Sequence, residues 1–200
     1  MYAVLVDEKQ NLNWTEVPDP VAGENEVLIE IHAAALNRAD LLQRAGKYPP
    51  PPGWPEWMGL EVAGIVLSAP ADSRWKKGDK VCALLGGGGY AEKVAVPQNM
   101  VLPVPHGLSM TEAAALPEAF ATSCLNLCIE AGMKSGDTVF IQAGASGLGI
   151  AAIQLAKAFG AKVIATVGSD KKAEAVRRLG ADIVVNRKTD NLGRILEENP

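Results

Sequence analysis

Two hundred residues allow one large domain or two small ones, and 48% hydrophobic with 21% charged residues is the make-up of a soluble globular protein. The net charge of −4 argues against nucleic acid or an anionic membrane surface as the main partner. No apolar run approaches the roughly 20 residues of a membrane span, and three cysteines without framework spacing fit a reducing compartment, so a cytoplasmic protein is expected. The start, MYAVLVDEKQ, reaches an acidic residue by Asp7 and reads as no signal peptide.

Up to about residue 110 the chain reads as short strands, AVLV, EVLIEIHAAAL, EVAGIVLS, DKVCALL and YAEKVAVP, punctuated by Gly, Pro and Asp as in a small irregular barrel. Ser109 and Glu112 have capping-box spacing and open a helix over MTEAAAL. Pro117 suits the first turn of the next helix, which runs to about Gly132. Cys124 and Cys128 fall on it and read as core thiols. From there strands and helices alternate: TVFIQAG, GLGIAAIQLAKAFG, KVIATVG, KKAEAVRRLG, ADIVVN. Short connections between alternating elements predict a parallel sheet with helices on both faces. A closing helix is expected over DNLGRILEENP. The late basic residues Lys171, Lys172, Arg177 and Arg178 suit a solvated helix face.

The strongest functional signal is the turn after TVFIQA, Gly144-Ala145-Ser146-Gly147-Leu148-Gly149. Glycines there let backbone approach a pyrophosphate, and the following helix offers free N–H groups to it. Ser146 takes the second glycine position, and its hydroxyl could donate to phosphate. An acidic residue about 20 positions on would normally grip the ribose diol of NAD. Gly168 stands there instead, followed by Ser169, Lys171 and Lys172, and Arg187 lies after the third strand. A hydroxyl and cations without an opposing acid predict a 2′-phosphate site, hence NADPH. Asp170, past the strand end, reads as the cap of the next helix.

The runs LIEIHAAALNRADLLQRAGKYPPPPGWPEWMGLEVAGIV and TVFIQAGASGLGIAAIQLAKAFGAKVIATVGSDKKAEAVRRLGAD resemble the quinone oxidoreductases of the medium-chain dehydrogenase/reductase superfamily. The resemblance covers essentially the whole chain and is nearest the branch that includes the p53-inducible quinone oxidoreductase. It implies an α/β architecture: a GroES-like irregular β-barrel catalytic domain over 1–117, and over 118–200 the first half of a Rossmann doubly wound parallel sheet. It also implies a longer chain, with the rest of the sheet and a segment returning to the barrel still to come, and relatives that form homodimers or homotetramers.

Alcohol dehydrogenases of this superfamily hold a catalytic zinc with Cys, His and Cys or Asp, and tetrahedral zinc needs three or four such ligands converging. Here Asn37 replaces the cysteine and Leu60 the histidine of the Gly-His-Glu signature, now Gly59-Leu60-Glu61. No metal is therefore expected. The resemblance places Asn37 and Tyr48 near the nicotinamide and the quinone, with Asp40 in the same segment; Asn37 could equally cap a turn and Asp40 pair with Arg38 or Arg44. The implied activity is hydride transfer from NADPH to a quinone or a similar conjugated carbonyl. Two other readings stay open: an enoyl or enone reductase of the same superfamily, and a non-catalytic, crystallin-like NADPH-binding protein.

Overall fold

In the computed structural model, which describes residues 1–198, the chain divides into two units, Met1–Glu118 and Ala119–Pro200. In the first, β3 (Glu26–Ala34) and β4 (Glu61–Ser68) form the middle of an antiparallel sheet ordered β6-β3-β4-β5-β7. The other strands are β5 (Lys80–Leu84), β6 (Lys93–Pro97) and β7 (Val101–Pro103). β4 is central and buried along most of its length, which is why its sequence is apolar without alternation. Register shifts in the β3–β4 pairing curl the sheet. Gly64 permits that irregularity: a Cβ there would lie 1.9 Å from the carbonyl oxygen of Glu30. The concave side encloses Val27, Ile29, Val62, Val66, Val81, Val94 and Val96 with Trp75, each worth about 1.5–3 kcal/mol when buried.

Two elements had no clear signal in the sequence. β1 (Tyr2–Val6) pairs antiparallel with β2 (Leu12–Glu16), which is almost wholly exposed and therefore lacks an apolar alternation. Its hold is local: Tyr2 stacks on Trp14 with ring centroids 5.9 Å apart. The segment after Asn37 folds as a short helix, α1 (Arg38–Arg44). α2 (Met110–Ala114) starts as its capping box predicts, with Glu112 N–H donating to the Ser109 hydroxyl at 3.3 Å and Ser109 N–H to the Glu112 carboxylate at 2.9 Å.

α3 (Pro117–Cys124) begins at the end of the first unit and runs into the second, where a π-helical turn over Leu125–Glu130 continues it. The cysteines here are not core thiols: Cys124 is exposed and Cys128 half-buried. The inward face runs through Ser123 and Leu127, which turns Cys124 toward solvent. Next come β8 (Thr138–Ile141), α4 (Gly147–Ala158), β9 (Lys162–Val167), α5 (Asp170–Arg178), β10 (Ile183–Asn186) and α6 (Leu192–Glu197). Residues 199 and 200, the end of the expected last helix, lie outside the described residues. The three strands are parallel, in the order β10-β9-β8. Val139, Ile141, Val163, Ala165 and Val167 share one core with Ala152, Ile153 and Ala156 of α4 and with Ala173 and Val176 of α5. Both helices thus cover the same face, as crossovers of one hand along consecutive strands require in the first half of a doubly wound sheet. Among the described residues no helix is long and apolar enough to cross a membrane.

Candidate functional site

β8 ends in a turn that brings the backbone over the tip of β9. Thr166 makes this turn: its hydroxyl accepts from Ala143 N–H at 3.2 Å and its carbonyl from Gly144 N–H at 2.8 Å. Ala143 is forced to a φ of +51°, a left-handed conformation unusual for a residue with a Cβ. Gly144 and Gly149 are packing glycines. A Cβ on Gly149 would lie 2.6 Å from the Ala143 carbonyl oxygen, and one on Gly144 3.0 Å from the Ala165 Cβ. Gly147 differs, because a Cβ there would meet nothing within 4 Å. Nothing in the chain's own packing demands glycine at this helix start; the bare backbone leaves room for something outside it.

Ser146 N-caps α4, its hydroxyl oxygen accepting from Gly149 N–H at 3.0 Å, so its own proton is free to point outward. Gly147 and exposed Leu148 carry N–H groups with no partner among the described residues. These features together can hold an anion.

Beside the turn, Ala143, Ala145, Ser146, Thr166, Gly168, Lys172 and Arg187 line a cavity of about 160 Å³. Arg187 is anchored through its N–H to the Val167 carbonyl at 3.0 Å, and its guanidinium lies over Gly168: a Cβ at 168 would sit 3.5 Å from Nε. Two cations therefore face the end of β9 with no carboxylate among the lining residues. Asp170 is turned away, accepting from Asn186 Nδ2 at 2.8 Å, and does not cap α5 as its position suggested. Ser169 is the cap, its hydroxyl accepting from Lys172 N–H at 3.4 Å. Of the residues expected at this site, Ala145, Ser146, Gly168, Lys172 and Arg187 line the cavity; Gly144, Gly147, Leu148, Gly149 and Ser169 do not, Gly144 preceding and Gly147, Leu148 and Gly149 forming the start of α4, and Ser169 capping α5. Sequence spacing does not point to Ala143 and Thr166; their roles depend on a backbone dihedral and a cross-strand bond that no local pattern displays.

In the first unit a polar network surrounds the start of α1. Asp40 is 5% exposed, and its Oδ2 accepts from Asn37 N–H at 2.5 Å and from the Tyr90 hydroxyl at 2.6 Å. The anticipated pairing with Arg38 or Arg44 is absent; Arg44 instead donates to the Gln10 carbonyl at 2.7 Å. Asn37 caps the helix and also donates through Nδ2 to Glu61 at 2.8 Å, and the other oxygen of Glu61 accepts from Glu118 N–H at 2.9 Å. Burial raises the Glu61 carboxyl above the usual range, against those two hydrogen bonds, with the Glu118 and Asp40 charges adding to the rise. Burial and the Asp40 hydrogen bond raise the Tyr90 phenol. Tyr48 is 46% exposed, and its hydroxyl makes no hydrogen bond among the described residues. Leu60 is buried, 4% exposed. Among the described residues no group of three or more His, Cys, Asp or Glu side chains is arranged to hold a metal ion.

Residues 23–106 match the family model for the alcohol dehydrogenase GroES-like domain, and residues 147–199 that for the zinc-binding dehydrogenase. Quinone oxidoreductase of Sus scrofa is 36% identical over 179 residues, 88% of this chain and 54% of the relative. The chain thus spans about half the length of the curated relatives it matches. Among solved structures, the quinone oxidoreductase from Thermus thermophilus, determined also in complex with NADPH, is 38% identical at a TM-score of 0.77, covering 92% of this chain and 59% of that one. The CurK enoyl reductase is 30% identical at 0.83, covering 94% and 60%. An NAD-dependent alcohol dehydrogenase is 32% identical at 0.87, covering 99% and 67%.

Proposed function

Because the chain belongs to the medium-chain dehydrogenase/reductase superfamily, we propose that it serves an oxidoreductase that uses NADPH to reduce a quinone or similar conjugated carbonyl without zinc. The observation that carries the cofactor choice is the end of β9, where Gly168 replaces a ribose-binding acid and leaves Arg187 and Lys172 facing the cavity. An acid there would repel a 2′-phosphate; two cations and the Ser169 hydroxyl attract one. NADPH supplies the hydride from its nicotinamide. The free N–H groups of Gly147 and Leu148 and the outward Ser146 hydroxyl bind the pyrophosphate, and Gly144 and Gly149 let α4 pack close enough to aim them. Asn37 and Tyr48 orient the acceptor, and Asp40 holds the backbone of Asn37 in place.

The zinc-free reading rests on residue chemistry. Leucine and asparagine stand at two ligand positions of the metal-dependent relatives, and the Asn37 amide is already engaged with Glu61. A quinone takes hydride without a Lewis acid, whereas an alcohol is hard to oxidise without one.

The test is titration with NADPH and with NADH, read by the fluorescence of the reduced nicotinamide, for the parent chain and for Lys172→Ala and Arg187→Ala. NADPH should bind more tightly, and each substitution should weaken it about tenfold by removing a charge-assisted contact. Tighter NADH binding would end the NADPH assignment. NADPH consumption with a quinone then tests the reaction. The likeness to an enoyl reductase favours one competing acceptor class; faster turnover of an α,β-unsaturated thioester than of any quinone would select it.

A further inference from the structure

The segment Gly86-Gly87-Gly88-Gly89-Tyr90 lies against the stretch that carries Asn37, Asp40 and Tyr48, and touches it at successive points. A Cβ on Gly86 would stand 2.7 Å from Cγ and Cδ1 of the Trp54 ring; one on Gly87 would be 2.7 Å from the Pro55 carbonyl oxygen. Gly88, at a φ of +92°, supports the Pro55 ring, 2.9 Å from where a Cβ would be. Its N–H donates to the Trp57 carbonyl at 2.8 Å, and its carbonyl accepts from Trp57 Nε1 at 3.3 Å. Tyr90 then reaches past the loop to α1, its hydroxyl bonding Asp40 at 2.6 Å and the Ala35 carbonyl at 3.3 Å. On its other side Tyr90 accepts through its carbonyl from Val4 N–H at 2.8 Å, which fixes the strip to β1. Bare backbone under Trp54 and Pro55 and a hydrogen bond to α1 hold both flanks of Tyr48, whose own phenol makes no hydrogen bond among the described residues. The prolines of the loop stiffen what lies between these anchors.

We infer that Gly86–Tyr90 is the seat of the Tyr48 loop, and that Gly86 and Tyr90 are positioning residues which set how large a planar acceptor fits against Tyr48. This deepens the proposed function and rests on its placing of Tyr48 against the acceptor. Adding a methyl at Gly86 must displace the Trp54 ring, and removing the Tyr90 hydroxyl releases Asp40, and α1 with it, from the glycine segment.

The experiment uses the 200-residue chain with Gly86→Ala and with Tyr90→Phe, circular dichroism confirming the fold. Tyr90→Phe is near-isosteric and carries the test if Gly86→Ala does not fold. Trypsin cleavage after Lys47, followed by mass spectrometry, reads release of the loop directly and independently of turnover. It should accelerate about tenfold, as loss of a hydrogen bond to a buried carboxylate would allow. Steady-state kinetics with benzoquinone and with a tricyclic quinone read the acceptor. The ratio of kcat/KM for the larger over the smaller should change in both variants, with the change falling more on KM than on kcat. Unchanged cleavage together with an unchanged ratio overturns the inference; faster cleavage with an unchanged ratio overturns its acceptor half and leaves the seat. A parent chain that turns over neither quinone defeats the functional reading instead, and the cleavage rates then decide the seat alone.

Discussion

Gly168 and Arg187 stand close enough that a single side chain should reverse the site's preference. Gly168→Asp places a carboxylate beside the guanidinium, neutralising it and repelling a 2′-phosphate. NADPH affinity is expected to fall by about tenfold or more while NADH is spared, as separate titrations would read; equal losses would mean that the substitution merely damaged the fold. Ala143, at a φ of +51°, is strained where glycine would not be. Ala143→Gly should raise stability by about 1 kcal/mol in urea unfolding, because the left-handed conformation costs an L-residue roughly that much. At this scale local chemistry was legible and distant chemistry was not. The loop from Gly144 to Gly149 announces itself by spacing. The partner of Asp40 is a tyrosine 50 positions away, brought there by sheet pairing that no short window displays. Asp170 and Ser169 are adjacent and both are good caps, so only the backbone path decides between them.

Ser146 precedes α4, and its hydroxyl caps the helix while the residue borders the cavity. Ser146→Ala should cost about 1 kcal/mol of stability and weaken NADPH binding as well; lost stability with unchanged binding would make the hydroxyl a cap only. In the first unit Glu61 joins β4 to the cap of α1 and to the backbone of Glu118. Its raised carboxyl binds a proton more readily folded than unfolded. The stability it contributes is therefore complete below the ordinary carboxylate range and declines as pH rises through the raised value. Asp19, held near 2 by Lys93 and the N-terminal amine, acts in the opposite sense, losing its contribution only as pH falls toward that value. The urea midpoint of the parent minus that of Glu61→Gln should fall as pH is raised from 4 to 8, since only the parent loses the Glu61 contribution; a constant difference would show that Glu61 titrates normally. Elements were readable where they face a core. β3 and β4 follow burial closely, whereas β2 and α1 are short and largely solvated, and their residues carry little periodicity.

Each of the two units has a core of its own, one of valines within a curled antiparallel sheet, the other of alanines and valines between a parallel sheet and two helices. A ligand that binds only the folded second unit should stabilise that unit by mass action, about 2.7 kcal/mol at a hundred times its Kd. NADPH is thus expected to raise the melting temperature of the helical signal more than equimolar NADH does; equal shifts would remove the case for a 2′-phosphate site. The division between the units also sorts the chromophores. Trp14, Trp54, Trp57 and Trp75, with Tyr2, Tyr48 and Tyr90, all lie in Met1–Glu118, and Ala119–Pro200 has only phenylalanine. Tryptophan and tyrosine emission is therefore blind to Ala119–Pro200. That emission reports the first unit alone, the helical dichroism is weighted toward the second, and the gap between the two melting curves measures how far the two unfold as one.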